Sequence, residues 1–235
     1  MENQNSKQKF LNLIEEALES ELFKPFELQR YLKGPGNSTD PDYLTYEMEA
    51  WYKDMGLEYI TGEKLTLSTC PFTPEEIEES QKNDEIIMCV PKGVTREQLG
   101  KLFRLDSWAL HDPMVTPATE TEDCWFRTSK SMTPVDMKAT GVESAHKAED
   151  EKLLNFSIER YIAFIGRMRY LTGKTPDMQY WIWLPRGRYD RSGMLVAGFD
   201  RNGVLNVHGW MPQFYASFLG ARFVIPAKSK VNFQV

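Results

Sequence analysis

No apolar run in this 235-residue chain approaches the roughly 20 consecutive positions that a membrane-spanning helix requires. Residues 1–9 are polar and lack the apolar stretch and small-residue cleavage site of a secretory signal, so a cytoplasmic location is expected. Cysteine is scarce. Cys70, Cys89 and Cys124 are odd in number and widely spaced, with no pair two residues apart of the kind that zinc sites and redox motifs use. They read as buried free thiols. Histidine is equally rare: His111-Asp112 and His146 have no second imidazole one helical turn away and no carboxylates at calcium-loop spacing. Neither a metal nor a cofactor is expected. Repeats of 20 to 50 residues, heptads and low-complexity tracts are also missing, which excludes solenoids and coiled coils.

What is present is an ordinary share of apolar residues, 41%, and a formal charge of −6. That describes soluble material of one or two domains, long enough to bury a real core. The charge is unevenly placed. Residues 1–150 carry 29 acids and 16 bases, whereas residues 151–235 carry 5 acids and 12 bases. An acidic first part docked on a basic last part would explain this without any ligand.

Period and punctuation divide the chain into 1–68, a helical segment with a hairpin; 69–150, a mixed segment; and 151–235, a core helix with an antiparallel sheet. All three could share one domain. Phe10, Leu13, Ile14, Ala17, Leu18 and Leu22 form a helical stripe. A short helix follows over Phe26 to Leu32, then a loop from Gly34 to Pro41. Leu44, Met48, Trp51 and Met55 share another helical face, and Gly56 stands where a left-handed cap is wanted. Leu57 to Ser68, with Thr61-Gly62-Glu63 at its centre, reads as a β-hairpin. Thr73-Pro74-Glu75-Glu76, Thr95 with Gln98, and Thr133 with Pro134 and Asp136 carry helix-start chemistry. Glu85 to Val90 and Asp123 to Ser129 read as strands, and Glu143 to Leu154 as a solvated helix or linker. Ile158, Tyr161, Ile162, Ile165 and Met168 mark the core helix, which stops at Gly173. Strands follow at Tyr180 to Leu184, Met194 to Phe199, Val204 to Trp210 and Arg222 to Ile225. An Asn202-Gly203 step supplies a tight turn between two of them. The class is α+β, helices first and strands last.

The densest polar and aromatic grouping is Trp181, Trp183, Arg186, Arg188, Tyr189, Asp190, Arg191, His208, Trp210, Gln213, Tyr215 and Arg222. Alternation places Trp181 and Trp183 on one strand face, which is either core or a platform. As a platform it would stack a planar ligand or sugar while arginines pair with an anionic part. Arg186 to Gly193 is no phosphate loop, since the Gly-Lys-Ser/Thr ending and the following helix are missing. Cys124 with His208 invites a thiol-hydrolase reading, but Thr121-Glu122-Asp123 would raise the thiol pKa and oppose it.

The run Tyr170-Leu171-Thr172-Gly173, Trp181-Ile182-Trp183-Leu184, an Asx-Gly strand pair and Leu219-Gly220-Ala221-Arg222-Phe223-Val224 resembles a C-type-lectin-like domain over residues 155–226. The relatives it resembles are formylglycine-generating enzymes and the variable proteins of diversity-generating retroelements. The resemblance implies a ligand-binding scaffold with contacts from the arginine loop and His208 to Tyr215. The Glu-Pro-Asn and Trp-Asn-Asp calcium signatures are absent, as are the paired catalytic cysteines, so it implies neither calcium-dependent sugar binding nor that catalysis.

The first expectation is therefore a binding module that takes a protein partner or a small anionic ligand. A nucleic-acid-associated protein is second: Thr95 to Leu105 could open a helix-turn-helix, but Asp106-Ser107-Trp108 to Asp112-Pro113 offers no basic recognition helix. An enzyme with a Cys/His site is third. No membrane association is expected.

Overall fold

The computed structural model describes residues 2–20, 25–34, 38–105, 110–189 and 193–227. Leu22, the loop residues Pro35 to Asn37, Asp106 to Trp108 and Arg191 lie outside them. The chain divides into two compact units, 1–38 and 39–235. In the first, α1 (Glu2–Glu19) and α2 (Pro25–Lys33) follow the expected periods. Phe10 and Leu13 on α1 are exposed, while Ile14, Ala17 and Leu18 of the same stripe are half-buried.

The second unit is α+β. Local chemistry fixes most of its helix ends. Asp40 caps α3 (Pro41–Met55) by accepting from the Asp42 N–H at 2.9 Å, and Gly56 ends it at φ +92°. Complete capping boxes start α5 (Pro74–Lys82) at Thr73/Glu76 and α6 (Arg96–Phe103) at Thr95/Gln98. Between these helices runs β1 (Glu85–Val90), paired antiparallel with β2 (Cys124–Ser129).

Three expectations fail here. The 57–68 hairpin is instead the single-turn helix α4 (Leu57–Thr61) followed by irregular chain, because Gly62 is a left-handed cap rather than a hairpin tip. Thr133-Pro134 starts no helix: the Ser131 and Thr133 carbonyls accept from the buried Arg222 guanidinium, and β3 (Asp136–Met137) joins a sheet. The helix of that region starts later, as α7 (Gly141–Asp150), from a Thr140/Glu143 capping box, and it is packed, with Ser144 and Ala148 buried.

β4 (Leu154–Asn155) leads into α8 (Ile158–Thr172), on which Ile158 to Met168 are all buried. Then follow β5 (Trp181–Tyr189), β6 (Gly193–Phe199), β7 (Leu205–Trp210), β8 (Leu219–Ala221) and β9 (Phe223–Val224). The main sheet has the order β3-β8-β5-β6-β7, antiparallel except where β8 lies parallel to β5; β4 pairs with β9. In the β6–β7 turn only Gly203 is left-handed, at φ +76°, so Asn202 does not supply the second positive angle expected of it. Asp200 instead holds the turn by accepting from the Asn202 and Val204 N–H groups. α8 reaches the main sheet through Arg169, which sits 5.6 Å over the ring of Phe199, on the face opposite Trp181. Among the described residues no helix is long and apolar enough to cross a membrane.

Candidate functional site

Strand register decides which side chains share the sheet face opposite α8. Directly opposed residues point the same way, so Trp181, Gly198 and Asn206 form one row, Trp183, Val196 and His208 the next, and Arg188, Met194 and Trp210 a third. The face is built in depth. Trp183 is fully buried and donates its indole N–H to the Ala139 carbonyl at 2.9 Å, beneath the start of α7. Its ring meets the edge of Trp210 at 6.4 Å. As a ligand contact Trp183 fails, because it is the floor.

Trp181 is half-buried and stacks on both His208, at 5.4 Å, and Trp210, at 5.3 Å. Its indole lies across Gly198, where a Cβ would come within 2.6 Å of the ring. Glycine is required there because the ring occupies the side-chain space. Trp210 in turn takes Phe214 at 5.3 Å and Phe218 at 6.2 Å, both edge-on. The chain from 211 to 218 folds over with short turns, Phe214 N–H to Met211 carbonyl and Leu219 N–H to Ala216 carbonyl. It leaves Met211 70%, Phe214 44%, Tyr215 59% and Phe218 42% exposed. Burying such side chains is favourable, and each costs water contact while exposed.

A sequence signal for this patch exists but is compositional. From Asn202 to Ala221, 20 consecutive residues carry no Asp, Glu, Lys or Arg, in a chain that is 26% charged. Met211 and Phe214 fall within the His208 to Tyr215 segment from which the resemblance implied contacts, whereas Phe218 lies beyond it; the exposure of all three depends on how the loop folds over Trp210.

The arginines expected beside the tryptophans disperse. Arg188 stands in register with Met194, but its guanidinium donates to the Pro185 and Gly187 carbonyls of its own loop. Arg222 is buried, donating to both carboxylate oxygens of Asp177 at 2.7 and 2.8 Å. Arg186 belongs to a separate cluster with Arg160, Glu120 and Cys124, where burial and the neighbouring Arg160 lower its pKa. Arg191 lies outside the described residues.

That second cluster settles the thiol. Cys124 begins β2, in the two-stranded sheet, while His208 lies on β7 in the five-stranded one. Burial raises the Cys124 pKa, Arg160 offsets this only in part, and Glu120 adds to it. The charges acting on the thiol are thus Arg160, Glu120 and Arg186, with no imidazole among them. A cleft of about 230 Å³ opens here, lined by Glu120, Asp123, Cys124, Trp125, Leu154 and Ala227 among others. Its polar groups are already engaged: Asp123 accepts from the Ser68 and Lys92 N–H groups, and Glu120 from Arg160 Nε at 2.7 Å. Among the described residues no group of three or more His, Cys, Asp or Glu could hold a metal ion. The helix-turn-helix is also incomplete, since residues 110–123 after α6 form no α-helix; Arg96 pins them by donating to the Leu110, Asp112 and Val115 carbonyls.

Comparison of the chain with known protein families, with curated proteins and with solved structures finds no match in any of the three.

Proposed function

We propose that the protein is a binding module whose contact surface is the aromatic patch of Trp181, Trp210, Met211, Phe214, Tyr215 and Phe218. The observation that carries this reading is the coincidence of four exposed large apolar side chains with a 20-residue stretch free of formal charge. A contiguous exposed apolar surface of a few hundred Å² is a mark of interaction sites, and aromatics and methionine are enriched in interface cores while Lys, Glu and Asp are depleted. Trp210 is held by Trp183, Phe214 and Phe218 before any partner arrives. Binding then orders few side chains, which lowers its entropic cost.

The competing readings lose support at the same place. Phosphate-backbone binding needs several Lys or Arg on the contact surface; the six patch residues include none, and the strand register adds Arg188 at the end of the Trp210 row. An anionic ligand held by arginines loses Arg222 to the core, and Arg188 gives one guanidinium nitrogen to its own loop carbonyls. A C-type-lectin-like scaffold over residues 155–226 remains part of the proposal, supported by α8 leading into the antiparallel β5–β6–β7 run. The free, mostly buried cysteines support a reducing compartment such as the cytoplasm.

The test is a photo-crosslinking residue placed at Tyr215 in the full chain, expressed in its own cell. A discrete crosslinked product is expected, lost in Phe214→Ser and retained in the remote Arg201→Ala. A product of equal yield in all three, or none, refutes the reading.

A further inference from the structure

Resting on that reading, we infer that the occupant of the patch is a short peptide segment of a partner protein, carrying two or three apolar anchors and almost no charge. Three observations lead there. The first is size. At roughly 200 Å² per large side chain, the exposed fractions of Met211, Phe214, Tyr215 and Phe218 amount to about 400 Å². A stable globular interface takes roughly 800 Å² from each partner, so a second copy meeting this patch alone would be held by half the usual surface. A peptide that lays a few side chains on the patch needs no more than it offers.

The second observation is charge. With neither carboxylates nor Lys and Arg from Asn202 to Ala221, the patch residues themselves offer no charge to pair with an ion, and a charged anchor laid on Met211, Phe214 and Phe218 would lose its water without compensation. The chain's net charge of −6 also opposes approach to an anionic bilayer, where basic residues supply the attraction. What the surface rewards is apolar contact. The third observation is pre-organisation: Trp210 is fixed by Trp183 below and by Phe214 and Phe218 at its edges, and Trp181 is packed over Gly198. Rigid aromatics with few rotatable bonds are the anchors that short, weakly ordered segments bind to at least cost.

The test is selection of a phage-displayed random 12-residue peptide library on the immobilised full chain, counter-selected against Phe214→Ser. Enriched peptides are then synthesised and their binding followed by tryptophan fluorescence. The expected outcome is a set of peptides with two or three large apolar residues and at most one charge, which bind Phe214→Ser and Met211→Ser at least tenfold more weakly. Near-ultraviolet circular dichroism confirms that both variants keep the fold. No enrichment over Phe214→Ser, or peptides that bind both variants as well as the wild type, overturns the inference. Light scattering that shows a dimer dissociated by Phe214→Ser would replace the peptide with a second copy, and Phe214-dependent sedimentation with phosphatidylcholine vesicles would replace it with a bilayer. Either result sinks the peptide while leaving the patch as the contact surface; failure of the crosslink at Tyr215 sinks both.

Discussion

Replacing Asp177 by asparagine should cost about 3 kcal/mol of stability, and replacing it by alanine about 1 kcal/mol more. Asp177 and Arg222 are both fully buried, joined by two short bonds from Arg222 Nε and Nη2. Tyr161 adds a third donor to the carboxylate, at 3.2 Å. Arg222 has other partners in the Ser131 and Thr133 carbonyls, at 2.6 and 3.0 Å, and its guanidinium lies 4.9 Å over the Phe164 ring. None of these carries a negative charge. Asparagine keeps the side-chain shape but leaves the guanidinium charge uncompensated away from water, the situation that costs roughly 3–5 kcal/mol. The extra loss for alanine comes from the backbone. Residue 177 sits at φ +58°, where Asp and Asn are tolerated and a plain Cβ pays roughly 1–2 kcal/mol.

In a chain of this length each kcal/mol moves the melting temperature by roughly 2–4 °C, so Asp177→Asn should lower it by about 6–12 °C. Thermal melts followed by circular dichroism and urea titrations measure it. Arg222→Met should be similarly harmful, since it strands the carboxylate and the loop carbonyls together. The double variant Asp177→Asn/Arg222→Met should then be more stable than the sum of the two losses implies, with a coupling of about 2 kcal/mol. If Asp177→Asn melts within 2 °C of the wild type, or if the two losses simply add, the pair is not a desolvated ion pair and the reasoning is wrong.

Two further perturbations follow from buried titratable groups. Glu159 accepts from the Ala118 N–H at 3.1 Å, and burial raises its pKa above the ordinary carboxylate value of 4.5, with backbone N–H groups, the Ser157 hydroxyl and Arg96 pulling the other way. A raised carboxylate pKa means the protonated form is favoured in the fold. Its contribution is therefore complete below the unfolded pKa and is lost as pH climbs through the folded one. Glu159→Gln should accordingly gain on the wild type in urea titrations as pH rises from 4.5 to 8, and a gap that is flat or shrinks contradicts this. Burial pushes the Cys70 thiol up to about 11, so at pH 8 only about one molecule in a thousand carries the reactive thiolate, against roughly a quarter for an ordinary thiol. A disulfide reagent at pH 8 should modify Cys70 far more slowly in the native chain than in urea, with Cys70→Ser identifying its phase; equal rates would show that the thiol is not sequestered.

Where the sequence could be read, the signal was local and chemical. Thr73/Glu76 and Thr95/Gln98 satisfy orphan helix N–H groups from three residues away, and Gly56 and Gly173 take the left-handed caps that side chains resist. Such pairs mean the same thing in almost any tertiary setting. Thr133-Pro134-Asp136 shows the limit. It has equivalent lettering, but the Thr133 carbonyl is claimed by an arginine 89 residues away in sequence. A distant partner outvoted the local pattern. α7 was underread for a different reason, because its buried face is made of Ser144 and Ala148, residues too small to show in an apolar count. On the sheet, the shared face of Trp181 and Trp183 was legible from alternation alone. Which indole is floor and which is half-exposed was not, since that depends on α7 closing over Trp183.

The charge asymmetry shows how the fold disposes of an excess that composition can only count. Two arginines of the basic last part are drawn into the interior by carboxylates of the acidic first part: Arg167 pairs with Glu47 of α3, and Arg160 with Glu120. A third, Arg222, is consumed by Asp177. A fourth, Arg169, donates to Thr175 while lying over Phe199. These four cations of the basic last part are thus engaged inside the fold, while Arg186 and Arg188 stay exposed. Buried pairs of this kind add little net stability over apolar packing, but they penalise misplacement heavily, because a shifted helix would strand a charge away from water. They thereby fix the register of α8 beneath the sheet whose far side carries the aromatic patch. On that far side the stretch from Asn202 to Ala221 carries no Lys or Arg of its own. Three arginines of the last part lie on α8, and none lies in the stretch that carries the aromatic loop, so the basic excess counted over residues 151–235 sits apart from that loop in sequence.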